Sequence, residues 1–297
     1  MRKNHNLITN VPFSKASGPI DFNLTNDYMF KVTLQECEEA RRGLISALLS
    51  VDPSEIETEV TNPIEFGKSV ENKDFYLDVM VIINKVKTMN LEMQVKKIPG
   101  WNERLLSYGC RSFDSLKVGD NYLDAPTFHE VGFVCFDMFT DNNRFYDTFY
   151  LTNEDSSQIY SDKFVLSVVN LRRIDEATEH DKLYKLDKWC RLITASSWEE
   201  AKEIAKEDPL MEATIKKLYY LDSDFEMREE AIRRRDYYNY VHSLENKITE
   251  KDSMLEKNAA EIAEKDSVIA DKDSVIAEKD SVIAELKRQL ELQKQSK

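Results

Sequence analysis

The sequence predicts an α/β fold: a mixed sheet with helices packed on it, followed by a helical region and a C-terminal coiled coil. Three observations predict it. The 297 residues are 41% hydrophobic and 10% aromatic, enough to bury a sizeable core. Segments of helical and strand period alternate in the order helix, hairpin, helix, strands, helices, which suits a sheet covered by helices. The heptads EKDSVIA, DKDSVIA and EKDSVIA run unbroken from Glu264 to Ala284, and a seven-residue period specifies a coiled coil.

Residues 1–20, with Pro12, Gly18 and Pro19 and few apolar anchors, read as a flexible N-terminal arm. From Asn26 the pattern turns helical through Tyr28, Met29, Val32 and Leu34. Leu44, Ala47, Leu48 and Val51 then recur at three- and four-residue spacing. Pro53 and Pro63 punctuate the chain ahead of LDVMVIINKVKTMNLEMQVKK, Leu77 to Lys97, which predicts a hairpin. Pro99 and Gly100 end it. WNERLLSYGCRSFDSL then sets Trp101, Leu105, Tyr108, Ser112 and Leu116 on one helical face. EVGFVCFDMF, RFYDTFYLT and KFVLSVVNL, rich in aromatic and β-branched residues, predict three more strands. From about Glu176 to Tyr240 the pattern is helical, interrupted mainly at Pro209. The expected organisation is therefore a sheet-bearing core over 21–175, a helical extension over 176–240 and heptads over 241–297.

In the heptads, Val241, Ile248, Leu255, Ile262, Ile269, Ile276, Ile283 and Leu290 fall seven apart. The second seam position holds Leu244, Lys251, Asn258, Lys265, Lys272, Lys279 and Leu286. A seam apolar throughout at one position and only at the two ends at the other predicts weak, register-tolerant self-association into a homo-oligomer. A solitary charged helix is the alternative.

A net charge of −14 counts against avid DNA binding through a broad basic face. It leaves room for local sites, because basic islands stand at Arg41–Arg42, Lys85–Lys87, Lys96–Lys97, Arg172–Arg173 and Arg233–Arg235. No run is long and apolar enough for a membrane span, and MRKNHNLITN lacks a signal core; cytoplasmic residence without membrane association is expected. Cys37, Cys110, Cys135 and Cys190 are too scattered for a zinc site or a disulfide frame. His5, His129, His180 and His242 form no metal box, and the seven glycines form no phosphate loop, so no nucleotide cofactor is expected.

The hairpin carries the chemistry. With Asn84 to Thr88 as the link and Ile83 facing Met89, the pairs Val81 with Leu91, Val79 with Met93 and Leu77 with Val95 make one face wholly apolar. The other face carries Asp78, Met80 and Ile82 opposite Asn90, Glu92, Gln94 and Lys96. Asp78 then faces Gln94 and lies diagonal to Glu92, at starting separations of about 5 and 7 Å. Two carboxylates so placed repel unless a cation sits between them, and a hard divalent ion with oxygen ligands fits. Alternatively they are the solvent-facing members of an edge hairpin, paired with Lys96 or another base. Met80 and Ile82 on the same face point to a covered surface.

LDVMVI, a short gap and NLEMQ resemble the core of PD-(D/E)XK nucleases, in the group of Rpn-type recombination-promoting nucleases and nuclease-family transposases, where a strand Asp is followed by Glu-x-Gln. NDYMFKVTL resembles that group's opening segment through Asp27, Phe30 and Lys31, and WNERLLSYG its helix after the hairpin through Arg104 and Tyr108. The resemblance spans roughly residues 21–240. It implies a restriction-endonuclease-like mixed sheet flanked by helices and Mg2+- or Mn2+-dependent hydrolysis of DNA, with Asp78 and Glu92 as metal ligands. Glu92 would also orient the nucleophilic water. Gln94 stands where the wider superfamily has lysine; an amide orients water but brings no positive charge. Lys96 would partly substitute if it reached back about 7 Å along the strand. Asp27 either joins the site or serves the dipole of its own helix. Arg104 and Tyr108 either bind phosphate or are a surface cation and a core residue. Two functions follow: a DNA endonuclease linked through its coiled coil, or a catalytically silent interaction protein on a nuclease fold.

Overall fold

Asn26 starts the first helix by accepting the N–H of Met29 on its side chain, satisfying one of the donors a helix N-terminus leaves open. The computed structural model describes residues 11–61, 64–65, 75–76, 79–97, 100–113, 121, 123, 125, 127–139 and 144–295. They divide into two units, Met1–Arg235 and Asp236–Lys297.

In the first unit, α1 (Asp27–Glu36) and α2 (Glu38–Leu49) precede β1 (Thr58–Val60) and a separate two-stranded pair, β2 (Ile64–Glu65) and β3 (Phe75–Tyr76). The hairpin follows as β4 (Val79–Ile83) and β5 (Lys87–Gln94), then α3 (Trp101–Phe113), β6 (Thr127–Val134), β7 (Tyr146–Thr152) and β8 (Ile159–Asn170). The main sheet has the order β1-β4-β5-β6-β8-β7. Its middle pairs, β5 with β6 and β6 with β8, are parallel, and the outer pairs are antiparallel. This is the mixed, helix-flanked sheet expected from the sequence. Between β5 and β6 the chain crosses over through α3, as parallel neighbours require.

Val79, Val81, Met89, Leu91, Met93, Val131, Phe133 and Val169 form the core-facing side of the sheet with α1 and α2. Phe30 of α1 meets Phe133 with ring centroids 5.4 Å apart. α3 covers the other face: Trp101 and Leu105 pack on Val134 and Val168, and Tyr108 packs on Met80. Gly132 lets this helix lie close, since a Cβ there would come within 2.5 Å of the Trp101 ring.

After the short α4 (Glu179–Leu183), helices α5 (Leu186–Thr194), α6 (Trp198–Ala205) and α7 (Pro209–Asp222) complete the same core through Trp189, Leu192, Trp198, Ile215 and Leu218. Pro209 begins a helix instead of interrupting one. Asp208 accepts the N–H groups of Leu210 and Met211, and proline at the first helical position gives up no bond. Residues 11–20 of the expected arm are docked, with residues 1–10 outside the described residues. Tyr219 donates to the Val11 carbonyl at 2.7 Å, Lys202 to that of Ala16 at 2.7 Å, and the Glu199 carboxylate accepts the N–H of Gly18.

The hairpin register differs from the expected one by two residues. Val81 pairs with Met89 and Val79 with Leu91, so the link is Asn84–Val86 and not Asn84–Thr88. Asn84 and Lys85 both take positive φ, and Val86 N–H donates to Ile83, the signature of a tight turn matched to strand twist. Because the shift is even, every side chain keeps its face. β5 ends at Gln94, so Val95 is exposed beyond the strand.

α8 (Phe225–Gln295) runs 71 residues and supplies the second unit. Ile248, Leu255, Ile262, Ile269, Ile276 and Ile283 are exposed along it. Among the described residues no helix is long and apolar enough to cross a membrane, and Cys37, Cys110, Cys135 and Cys190 are free thiols.

Two stability measurements test this packing. Gly132→Ala should lower the urea unfolding free energy by about 1–3 kcal/mol through overpacking against Trp101. His129 is buried with Nε2 2.7 Å from Ser167 Oγ; burial, then the charge of Lys87, pushes its pKa down to about 4. The unfolded imidazole titrates near 6.5, so the stability owed to the neutral ring is complete above that pH and is lost as pH falls toward 4. The stability gap between the native protein and His129→Gln should therefore narrow by about 2–3 kcal/mol from pH 7 to pH 4.5.

Candidate active site

β5 is a central strand, hydrogen-bonded to β4 on one side and β6 on the other, and its polar alternate residues point into the layer that α3 covers. Asn90, Glu92 and Gln94 are at most 2% exposed. For Glu92 the edge-hairpin reading therefore fails: its side chain faces protein, not water.

Glu92 does not stand there alone. Its Oε1 lies 2.9 Å from Nη2 of Arg104, a charge-assisted pairing that offsets the desolvation of the carboxylate. Arg104 donates through Nε to the Tyr108 hydroxyl at 2.8 Å and sits 5.1 Å from the centre of that ring. The i,i+4 spacing on α3 builds this clamp. Tyr108 is a core residue, and Arg104 is bound to the candidate carboxylate while staying one-third exposed.

Gln94 donates its amide Nε2 to the Lys96 carbonyl at 2.7 Å. A carbonyl only accepts, so this bond fixes which end of the amide carries the NH2 and leaves Oε1 as its acceptor. Lys96 follows β5 in a bend. Asp27 is buried at the start of α1, accepts the N–H of Tyr28 at 2.8 Å and lies 3.8 Å from Nη1 of Arg234. Lys31 is half-buried on the same helix. Asp78 lies outside the described residues.

Sequence reasoning missed Glu130. It is fully buried on β6, pairs across the ladder with Asn90, and accepts the Asn90 amide on Oε1 at 2.7 Å. Its ladder neighbour two residues on, Gly132, pairs with Glu92. The signal lay in parity: Phe128, Glu130, Gly132 and Val134 share one face, opposite Val131 and Phe133.

Among the described residues no group of three His, Cys, Asp or Glu is placed to hold a metal. Among the described residues the buried oxygen groups on this face of β5 and β6 are the carboxylates of Glu92 and Glu130 and the amide oxygens of Asn90 and Gln94. This all-oxygen set fits a hard cation such as magnesium or manganese rather than a thiolate- or imidazole-seeking metal. Residues 24–250 match the family model of the PD-(D/E)XK nuclease family transposases. No curated protein and no solved structure matches the chain.

Arg104→Met keeps the aliphatic stem and removes the cation from Glu92. It should cost about 1–3 kcal/mol in urea unfolding at pH 7, whereas Arg104→Lys should lose less.

Proposed function

Because the chain belongs to the PD-(D/E)XK nuclease family transposases, we propose that it is a DNA endonuclease that hydrolyses phosphodiester bonds with a bound divalent cation, magnesium or manganese. The observation that carries this reading is Glu92: an ionisable side chain 1% exposed in a central strand, beside a buried amide and a partly exposed arginine. Buried charge of this kind is costly and concentrates at functional sites.

Asp78 and Glu92 are the proposed metal ligands. Asp78 directly precedes Val79 in the chain; Val79 pairs with Leu91, and Glu92 follows Leu91. When bound, the cation polarises the scissile phosphate and lowers the pKa of a water. Glu92 accepts a hydrogen bond from the attacking water and orients it. Gln94, held by Lys96, presents Oε1 to the same water. Arg104 brings the positive charge that Gln94 lacks: tied to Glu92 on one side and one-third open to solvent on the other, it can face a phosphate oxygen as negative charge develops. Asp27, Lys31 and Lys96 are assigned supporting roles. The exposed aliphatic line of the second unit favours pairing with a second copy of the chain, which would link two active sites.

Supercoiled plasmid incubated with magnesium should be nicked, and EDTA should stop the reaction. Asp78→Ala and Glu92→Gln should each slow nicking by on the order of 10²-fold or more. Undiminished nicking by Asp78→Ala would overturn the ligand assignment. No nicking by the native protein in magnesium or manganese would leave the interaction-protein reading in its place. Removing residues 241–297 should reduce conversion to linear plasmid at low protein concentration while nicking persists.

A further inference from the structure

The parallel strands β5, β6 and β8 end side by side, and the segments leaving them are tied together through one residue, Asp137. Asp137, just past β6, accepts Nε of Arg173 at 2.7 Å and Nη2 at 3.1 Å, and it accepts the Asn170 amide at 2.9 Å. Its backbone carbonyl accepts Nζ of Lys97 at 3.4 Å. Leu171 N–H donates to Val134, and Cys135 N–H to the carbonyl of Gln94. Three loops thus form one built edge that begins at Gln94.

The edge carries cations in a chain whose net charge is −14. Arg173 engages two carboxylates, Asp137 through Nε and Nη2 and Glu176 through Nη1 at 2.8 and 3.1 Å. Asp175, also exposed, is paired with Arg191 at 2.7 Å. Lys97 and Arg172 are exposed, and the Arg172 backbone N–H is fixed by Asn170 Oδ1 at 3.0 Å. Arg172 follows Leu171, whose N–H is bonded to Val134, and Val134 is the ladder partner of Gln94. Open α/β sheets take their ligands at the carboxyl ends of such strands.

We propose that this rim binds the phosphate backbone of duplex DNA beside the candidate active site, with Lys97 and Arg172 as the contacting residues and Arg173 with Asp137 as the strut that fixes them. The identity of the polyanion rests on the nuclease reading. In a chain of net charge −14, duplex DNA is held by a local excess of cations or not at all.

The test is a salt titration of binding, by fluorescence anisotropy, of a short labelled DNA duplex to the full chain in EDTA. Each phosphate contact contributes about 0.9 to the slope of log K against log salt. Lys97→Ala with Arg172→Ala should lower that slope by about 1.8 and weaken binding on the order of tenfold or more at low salt, with an unchanged unfolding temperature. Lys97→Arg with Arg172→Lys should restore the slope. An unchanged slope in the alanine double variant, or no duplex binding by the native protein, would overturn the rim. Plasmid nicking in magnesium separates the two proposals: nicking with an unchanged slope removes the rim alone, and a rim-dependent slope without nicking removes the nuclease reading alone.

Discussion

A strand covered on both faces gives its polar side chains no water to turn to, and β5 is such a strand. α1 and α2 close over Met89, Leu91 and Met93, while α3 closes over Asn90, Glu92 and Gln94. Every polar group on the second face must find its partner within the protein. Glu92 takes Arg104, Gln94 takes the Lys96 backbone, and Asn90 takes Glu130. Trp101 against Gly132 sets how near α3 comes to the sheet, and that approach lets Arg104, one turn further on, meet Glu92.

Parts of this arrangement were legible because they obey a local period. Trp101, Leu105 and Tyr108 announce the buried face of α3 by their spacing, and the alternation of the hairpin fixed which residues share the face of Glu92. Register was less legible. It depended on a turn whose positive φ angles fall on Asn84 and Lys85, without the glycine that usually marks such a turn. Glu130 was missed because its environment is not local: it is buried by the parallel pairing of β6 with β5, which closes only after the α3 crossover. The docking of residues 11–20 likewise depends on Glu199, Lys202 and Tyr219, nearly 200 positions away in sequence.

Electrostatics divides the molecule by neighbourhood rather than by total charge. Glu92 pairs with a guanidinium that keeps a solvent-facing side. Asp137 is held by a forked arginine and an amide, and Arg173 draws it below the usual carboxylate range; it acts as a fixed mechanical joint. An acidic chain can in this way present a cationic edge by spending one arginine on its local carboxylates and leaving neighbouring cations outward.

The three near-identical heptads of Glu264 to Ala284 have a geometric consequence for any pairing of two such tails. One seven-residue slip keeps isoleucine against isoleucine through most of the overlap, so little energy separates neighbouring alignments. On an α-helix that slip is about 10 Å, the rise of roughly three base pairs of duplex. Were two such tails to pair, the repeat would permit several discrete spacings rather than one.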